Sequence, residues 1–236
     1  MKRRNLFALL GLATALPAMA AKSLQQGQTL VVKSTMRYLA FLPNSYSDRG
    51  AGVPLIIFLH GSGERGTDLN LVKKWGPPAI VEKNPYFPFM VVSPQLPEGE
   101  AWHALSLKAL IDEILAKYRV DKRRVYLTGI SMGGYGAWDL ASRYPQYFAA
   151  VAPICGGGIA RAVGAMRGIP TWVFHGKKDE AVPESESASM VDALNAAGGE
   201  VRYTVLPEAG HVEAWVYAYG EAGLFDWFLE QRKPLA

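Results

Sequence analysis

A serine set between glycines is the residue of this sequence whose surroundings most directly indicate chemistry. Ser131 lies at the centre of Gly129-Ile130-Ser131-Met132-Gly133, between a short apolar run and an amphipathic segment. A strand that turns sharply into a helix strains its central residue and leaves little room for side chains two positions away, so glycine suits both places. The exposed N–H groups and the dipole of a helix N-terminus favour developing negative charge. The pattern predicts that the Ser131 hydroxyl is a nucleophile in acyl transfer.

A serine hydroxyl is a weak nucleophile at neutral pH and needs a general base. With a serine of this kind the usual chain order is serine, then a carboxylic acid, then histidine. His211 follows the last predicted strand in a glycine turn and is the expected base. His175, which directly follows an apolar run, is interpreted as a structural residue, and His103 comes too early in the chain for this role.

The base needs a carboxylate that fixes its tautomer and stabilises the imidazolium. Asp179 is the expected acid, because it lies a few residues beyond a predicted strand, in a loop before a predicted helix. Glu180, Glu208 and Glu213 are alternatives, and a solvated loop is the other interpretation of this lysine-rich segment.

Two N–H groups must receive the negative oxygen of the acyl-transfer intermediate, one from the residue after the nucleophile and one from an earlier loop. Met132 is the first expected donor. His60-Gly61-Ser62-Gly63 follows an apolar run and provides a glycine-containing loop, in which the Ser62 N–H is the second expected donor.

Strands alternating with helices are expected to position these residues. The pattern favours an α/β domain with a mostly parallel sheet of about eight strands and helices on both faces. The predicted strands are Leu30–Val32, Met36–Leu42, Leu55–Leu59, Phe89–Ser93, Val125–Gly129, Phe148–Ile154, Thr171–Phe174 and Val201–Leu206. The predicted helices are Leu105–Tyr118, Met132–Arg143, Ser185–Ala197 and Gly223–Gln231. The candidate catalytic residues follow strands, at the edge where parallel sheets bind ligands.

The N-terminus predicts export. A basic start, the apolar run Leu6–Leu16 and small residues around Ala20 and Ala21 indicate a signal peptide over residues 1–20, cleaved after Ala20 or Ala21. The apolar run is too short for a membrane-spanning helix. Arg3-Arg4 also resembles a twin-arginine signal. We expect a periplasmic or secreted protein with one catalytic domain over residues 22–236.

Composition limits the choice of partners. The chain has 25 Lys and Arg against 21 Asp and Glu, and three of the basic residues lie in the signal segment, so the remainder is nearly neutral. A neutral surface without a basic block gives no reason to expect nucleic acid, or a membrane partner after the signal is removed. The single cysteine, Cys155, cannot form an internal disulfide and is interpreted as a small buried hydrophobe. The sequence does not specify the oligomeric state.

Several segments together resemble a known family. They are Leu59–Gly66, Ser93-Pro94-Gln95 with the following Trp102, Val125–Trp138, Cys155-Gly156-Gly157 and the loops of Asp179 and His211. These segments are similar to bacterial esterases and predicted peptidases of the α/β-hydrolase superfamily, which include polyhydroxybutyrate-depolymerase-like, feruloyl-esterase-like and phospholipase/carboxylesterase-like proteins. The resemblance implies the α/β-hydrolase fold and ester hydrolysis through an acyl-serine, without a cofactor or a metal.

The resemblance also bears on the pocket. Gln95 and Trp102 are candidates for substrate binding, with a hydrogen-bonded core glutamine and a packed tryptophan as the alternatives. Glu64 and Arg65 are candidates for a pair that shapes the oxyanion loop, with a solvated surface turn as the alternative. The short interval between residues 154 and 171 leaves no room for a large lid, which favours short-chain or bulky soluble esters, on small molecules or linked to polysaccharide. A serine peptidase with the same triad and a non-catalytic carbohydrate- or ester-binding relative remain open.

Overall fold

Continuous apolar runs form the centre of a seven-stranded sheet in the part of the chain that the computed structural model describes, residues 35–234. The expected signal segment 1–20, its cleavage point and the predicted strand Leu30–Val32 lie outside the described residues. The strands are β1 (Arg37–Phe41), β2 (Val53–Leu59), β3 (Met90–Gln95), β4 (Val120–Ile130), β5 (Ala150–Ile154), β6 (Thr171–Gly176) and β7 (Val201–Leu206).

The strand order is β1-β3-β2-β4-β5-β6-β7. Strands β2 to β7 are parallel to one another, and β1 is added at one edge of the described sheet by antiparallel pairing with β3. Parallel neighbours bring their carboxyl ends to one edge of the sheet, so the loops after β2, β4, β6 and β7 meet there. The predicted α/β-hydrolase architecture with a mostly parallel sheet is confirmed.

Helices connect the strands. They are α1 (Gly76–Val81), α2 (Ala104–Lys117), α3 (Met132–Arg143), α4 (Glu184–Ala196), α5 (His211–Gly220) and α6 (Leu224–Glu230). The predicted helices correspond to α2, α3, α4 and α6, whereas α1 and α5 were not predicted. Short 3₁₀ helices cover Ser62–Glu64, Leu69–Lys74, Pro145–Tyr147 and Ala160–Met166. Between residues 35 and 234, none of the helices has the length and apolar character that crossing a membrane requires.

The sheet separates two apolar cores. Alternate residues of β2 face opposite sides: Leu55 and Ile57 pack under α2, α3 and α4, while Ile56 and Phe58 pack under α5 and α6. Each face of the strand is covered, which explains why the sequence of β2 is continuously apolar rather than alternating. The two cores fix the sheet, and the sheet in turn fixes the loops at its carboxyl edge.

The interval between β5 and β6 holds a single short helix, Ala160–Met166, rather than a lid. Val163 and Met166 of this helix are fully buried in the core. The expectation that the fold lacks a large lid in this interval is met.

Candidate active site

Ser131 lies at the turn between β4 and α3. Its backbone has φ 54° and ψ −119°, a conformation that a residue with a side chain adopts only when the surroundings enforce it. Its N–H donates to the carbonyl of Ile154 at 2.9 Å, and its own carbonyl accepts from the N–H groups of Gly134 and Tyr135. These bonds hold the strained turn in place at the start of the helix.

The glycines on either side of Ser131 allow the strand and the helix to approach closely. A Cβ on Gly129 would lie 2.3 Å from the carbonyl oxygen of Gly133, and a Cβ on Gly133 would lie 2.0 Å from the carbonyl oxygen of Leu59. Both distances are far shorter than any real contact, and the opposing atoms belong to the backbone. Glycine is therefore required at both positions.

Asp179 is held from both sides in the loop after β6. Its Oδ1 accepts from the N–H groups of Ala181 and Val182, each at 2.9 Å, and its Oδ2 lies 2.5 Å from Nδ1 of His211. Burial raises the pKa of this carboxyl, but the bonds from Val182, His211 and Ala181 outweigh it, so the pKa lies below the ordinary value. Asp179 is therefore an ionised, oriented hydrogen-bond acceptor.

His211 is the first residue of α5, and its ring packs edge to face against Trp215, one turn later, with 4.7 Å between ring centroids. Because Nδ1 faces Asp179, Nε2 is the nitrogen that remains for a substrate or a hydroxyl. The Cys155 thiol donates to the His211 carbonyl at 3.7 Å, and the neighbouring Ile154 accepts from Ser131. The end of β5 thus contacts both the turn of Ser131 and the loop of His211.

The other candidate acids have different surroundings. Glu180 is exposed, Glu208 pairs with Lys178, and the Glu213 carboxylate accepts from the Gly210 N–H at 3.2 Å, which caps the start of α5. His103 is exposed at the start of α2. The hydrogen bonds of the described residues therefore connect Asp179, and none of these glutamates, with His211.

The loop after β2 lies against Ser131. A Cβ placed on Gly61 would be 3.6 Å from Cβ of Ser131. Ser62 begins the adjoining 3₁₀ helix and is exposed, and Met132 is the first residue of α3. The N–H of a first helical residue has no acceptor within its own helix, so the Met132 N–H is available to an anion.

His60 fixes this loop, a role that its position in the motif did not reveal. Its Nε2 accepts from the N–H of Leu96 at 3.1 Å, so its hydrogen is on Nδ1, which donates to the carbonyl of Gly61 at 2.5 Å. Burial lowers the pKa of His60 to about 4. The ring is therefore neutral at physiological pH and binds two backbone groups at once.

Gln95 and Trp102 lie behind the loop. The side-chain amide of Gln95 donates to the carbonyls of Glu64 and Asp68, at 3.0 and 2.7 Å. The indole N–H of Trp102 donates to the carbonyl of His60 at 3.2 Å. The Trp102 ring packs directly on Gly136, because a Cβ at that glycine would lie only 2.8 Å from the ring. These contacts match the alternative of a bonded glutamine and a packed tryptophan, and we propose a supporting role for both.

Arg65 and Glu64 do not form the candidate pair. The Arg65 guanidinium donates to the carbonyls of Ser62 and Glu100, at 3.1 and 3.2 Å. Glu64 is buried, with 5% of its surface exposed, and burial raises the pKa of its carboxyl. The arginine still shapes the oxyanion loop, but through the backbone.

One cluster of potential metal ligands occurs within residues 35–234. It consists of Cys155, His175 and Asp179, whose donor atoms lie within 4.8 Å of one another. His175 and Asp179 are both fully buried and hydrogen-bonded to protein groups. Burial also raises the pKa of the Cys155 thiol, which disfavours the thiolate that a metal needs. The cluster therefore fits a structural role better than a metal centre.

Comparisons with known proteins agree on one family. A family model described as "Putative esterase" matches residues 30–198. Poly(3-hydroxyalkanoate) depolymerase C of Paucimonas lemoignei is 32% identical over 45% of this chain and 28% of that protein. A bifunctional acetylxylan esterase/xylanase of Neocallimastix patriciarum is 31% identical over 54% of this chain and 19% of that protein.

A solved structure, that of a thermostable esterase, superposes with a TM-score of 0.75 and 33% identity, covering 84% of this chain and 60% of the other. The chain thus spans less than two thirds of the length of each of these three relatives. Because the family model matches residues 30–198, which are most of the sequence, the chain belongs to this esterase family.

Proposed function

We propose that this protein hydrolyses carboxylic esters, with Ser131 as nucleophile, His211 as general base and Asp179 as the acid that orients the base. The observation that carries the proposal is the 2.5 Å contact between Asp179 Oδ2 and His211 Nδ1. The same chain has Ser131 in a strained strand-to-helix turn and belongs to the esterase family.

Acylation begins when Nε2 of His211 accepts the proton of the Ser131 hydroxyl. The serine oxygen forms a bond to the ester carbonyl carbon, and the carbonyl π electrons move to its oxygen. The N–H groups of Met132 and Ser62 stabilise that oxyanion, and loss of one such donor costs about 3 kcal/mol of transition-state stabilisation. The carbonyl reforms, the bond to the alcohol oxygen breaks, and His211 gives the proton to the departing alcohol.

Deacylation repeats these steps with water. His211 accepts a proton from the water, whose oxygen bonds to the acyl carbon and forms a second oxyanion in the same N–H pair. The bond to the Ser131 oxygen then breaks, and the serine takes the proton back from His211. The carboxylic acid leaves and the enzyme is restored. Side chains and backbone N–H groups supply every proton transfer and charge contact in this scheme.

We propose that the substrates are short-chain or bulky soluble esters, on small molecules or linked to polysaccharide. The short segment between β5 and β6 supports this, because no lid there shields a long acyl chain from water. One relative is named as an acetylxylan esterase, and acetylated xylan is an ester of this kind. We also propose export to the periplasm or beyond, on the signal-like sequence of residues 1–20.

The test compares the wild-type protein with Ser131→Ala on p-nitrophenyl acetate, butyrate, octanoate and dodecanoate. We expect hydrolysis of the short esters and a fall in kcat of about 10⁴- to 10⁶-fold in the variant, because the residual rate depends on binding and the oxyanion hole alone. Circular dichroism establishes that the variant is folded.

Equal inactivity of the two proteins on all four esters would contradict the proposal. Peptide p-nitroanilides in the same assay then test the peptidase alternative. Cleavage of these amides, lost in Ser131→Ala, would retain the triad and change the substrate class.

A further inference from the structure

His175 is a histidine without contact to solvent. It lies near the end of β6, four residues before Asp179, and its side chain is 0% exposed. The catalytic scheme above does not use it. A buried polar nitrogen without a hydrogen-bond partner is costly, so the partners of the two ring nitrogens determine which of them carries a hydrogen.

Both ring nitrogens of His175 face groups that accept hydrogen bonds. Nε2 lies 2.9 Å from the carbonyl oxygen of Val182, which can only accept. Nδ1 lies 2.7 Å from the hydroxyl of Ser187, and that hydroxyl donates its single hydrogen to the carbonyl of Gly156 at 2.8 Å. The hydroxyl oxygen is therefore left to accept from Nδ1. Satisfying all three bonds places a hydrogen on each nitrogen, which makes the ring an imidazolium cation.

A buried cation needs a counter-charge, and Asp179 provides it. Nε2 of His175 lies 3.2 Å from Asp179 Oδ2, the same oxygen that faces Nδ1 of His211. The carboxylate thus lies between two imidazole rings, with its other oxygen held by the two backbone N–H groups of the loop.

We propose that His175 is a buried imidazolium that acts as a positioning residue for Asp179, keeping this carboxylate ionised and directed at His211. The inference rests on the triad proposed above, because its kinetic consequence passes through Asp179. His175 itself touches neither the substrate nor the nucleophile in this scheme.

The other titratable groups around the ring do not replace this role. Cys155, at the end of β5, is neutral because burial raises the pKa of its thiol. Glu184 of α4 is bonded to Lys177 and to Tyr203 of β7, and these bonds, that of Lys177 first, lower the pKa of its carboxyl. Glu184 therefore forms its ion pair with Lys177, whereas the Asp179 carboxylate faces His175 and His211.

The first test replaces the cation by a neutral side chain in His175→Gln, with His103→Gln as the matched control at an exposed position. We expect kcat of His175→Gln on a short ester to fall about 10- to 100-fold with little change in KM, because the acid is misplaced. The acid limb of the kcat/KM profile moves about one pH unit upward. The sign follows because removing a positive charge eases proton uptake by the Asp179–His211 pair, so inactivation by acid begins at higher pH.

An acid limb of His175→Gln that coincides with the wild type would overturn the proposal, even if kcat falls, since a packing role alone does not move it. His103→Gln keeps both the rate and the profile.

The second test does not depend on a folded variant or on activity. In ¹⁵N-histidine-labelled wild-type protein at neutral pH, imidazole NMR detects the hydrogens on each ring. Two N–H hydrogens on His175 support the cation, and a single one overturns it. If the wild type hydrolyses no ester, the proposed function fails, while the spectrum still decides the charge of His175.

Discussion

The carboxylate of Asp179 is bonded on both oxygens, two backbone N–H groups on one and His211 on the other. These three hydrogen bonds hold the His211 ring in one tautomer, with hydrogen on Nδ1. Replacing Asp179 by a side chain of nearly the same shape should therefore change the rate of ester hydrolysis far more than the free energy of unfolding.

Asp179→Asn tests the tautomer. The amide of asparagine can donate to Nδ1 of His211, which moves the histidine hydrogen to Nε2 and removes the base. We expect kcat/KM for a short ester to fall about 10⁴-fold at neutral pH. Glu180→Gln, at the exposed neighbouring position, serves as the control and keeps the wild-type rate. A fully active Asp179→Asn protein would show that another group is the acid.

The buried ring of His60 makes the free energy of unfolding depend on pH. Its pKa is 6.5 ordinarily and about 4 in the folded protein, because burial disfavours the charged ring. A group with a depressed folded pKa contributes stability above its unfolded pKa and loses it as pH falls towards the folded value. We expect the free energy of unfolding to drop by roughly 3 kcal/mol between pH 6.5 and 4 from this group.

Urea denaturation at several pH values between 7 and 4 measures this dependence. A His60→Gln variant cannot take up the proton and should lose less stability over the same interval. An equal loss in the two proteins would assign the effect to other residues.

At the level of elements, the packing of α3 on the strands depends on Gly133. The Cβ of an alanine there would lie 2.0 Å from the Leu59 carbonyl oxygen, so β2 and α3 must separate. We expect Gly133→Ala to reduce the free energy of unfolding by about 3 kcal/mol or more. Activity should fall as well, because Leu59 leads directly into the oxyanion loop.

Gly168→Ala is the matched control, since a Cβ at that position has no neighbour within 4 Å. Chemical denaturation and ester hydrolysis of the two variants are compared side by side. A Gly133→Ala protein as stable and active as Gly168→Ala would contradict the close approach of helix and strand.

The elements that the sequence predicts well are those with a single strong pattern. Strands β2, β5 and β6 are buried along their whole length, and their sequences are accordingly mostly apolar. Helix α5 escaped prediction because its first residue, His211, was assigned to a glycine turn. The bond from Gly210 to the Glu213 carboxylate is a helix-start signal that could have identified it. Strand β4 begins five residues before its predicted start, in a charged segment that pairs with β2 only near Val53.

In the candidate site, too, some residues can be predicted from a local sequence pattern and others cannot. Ser131, Asp179 and His211 could be proposed from motif and chain order, which are local properties. The contact of His175 with Asp179 and the bond from Trp102 to His60 join distant segments or depend on side-chain direction. Gln95 and Trp102 were therefore placed in the pocket by resemblance, while their partners are backbone carbonyls behind the loop.

At the largest scale, residues 35–234 form one sheet between two apolar cores. Ile114 of α2 is buried on one side and Phe228 of α6 on the other. We expect each exchange to alanine to reduce the free energy of unfolding by about 2 to 5 kcal/mol. The effects should add in the double variant, because the sheet separates the two sites.

Urea unfolding is followed by far-ultraviolet circular dichroism, which measures secondary structure, and by tryptophan fluorescence, which measures tertiary packing. Coincident curves for all three variants support one cooperative unit. Separate transitions in either single variant would show that the two cores unfold independently.

The short exposed segment at residues 158–159, between β5 and the 3₁₀ helix Ala160–Met166, has a consequence for protein engineering. It leaves the sheet at the same edge as the loops of Ser131, Asp179 and His211, and the helix that follows anchors itself through Val163 and Met166. Longer loops add closure entropy only slowly, at about 0.6 kcal/mol for each doubling. A grafted cap at this segment could therefore retune substrate preference while both cores and the catalytic strands keep their native contacts.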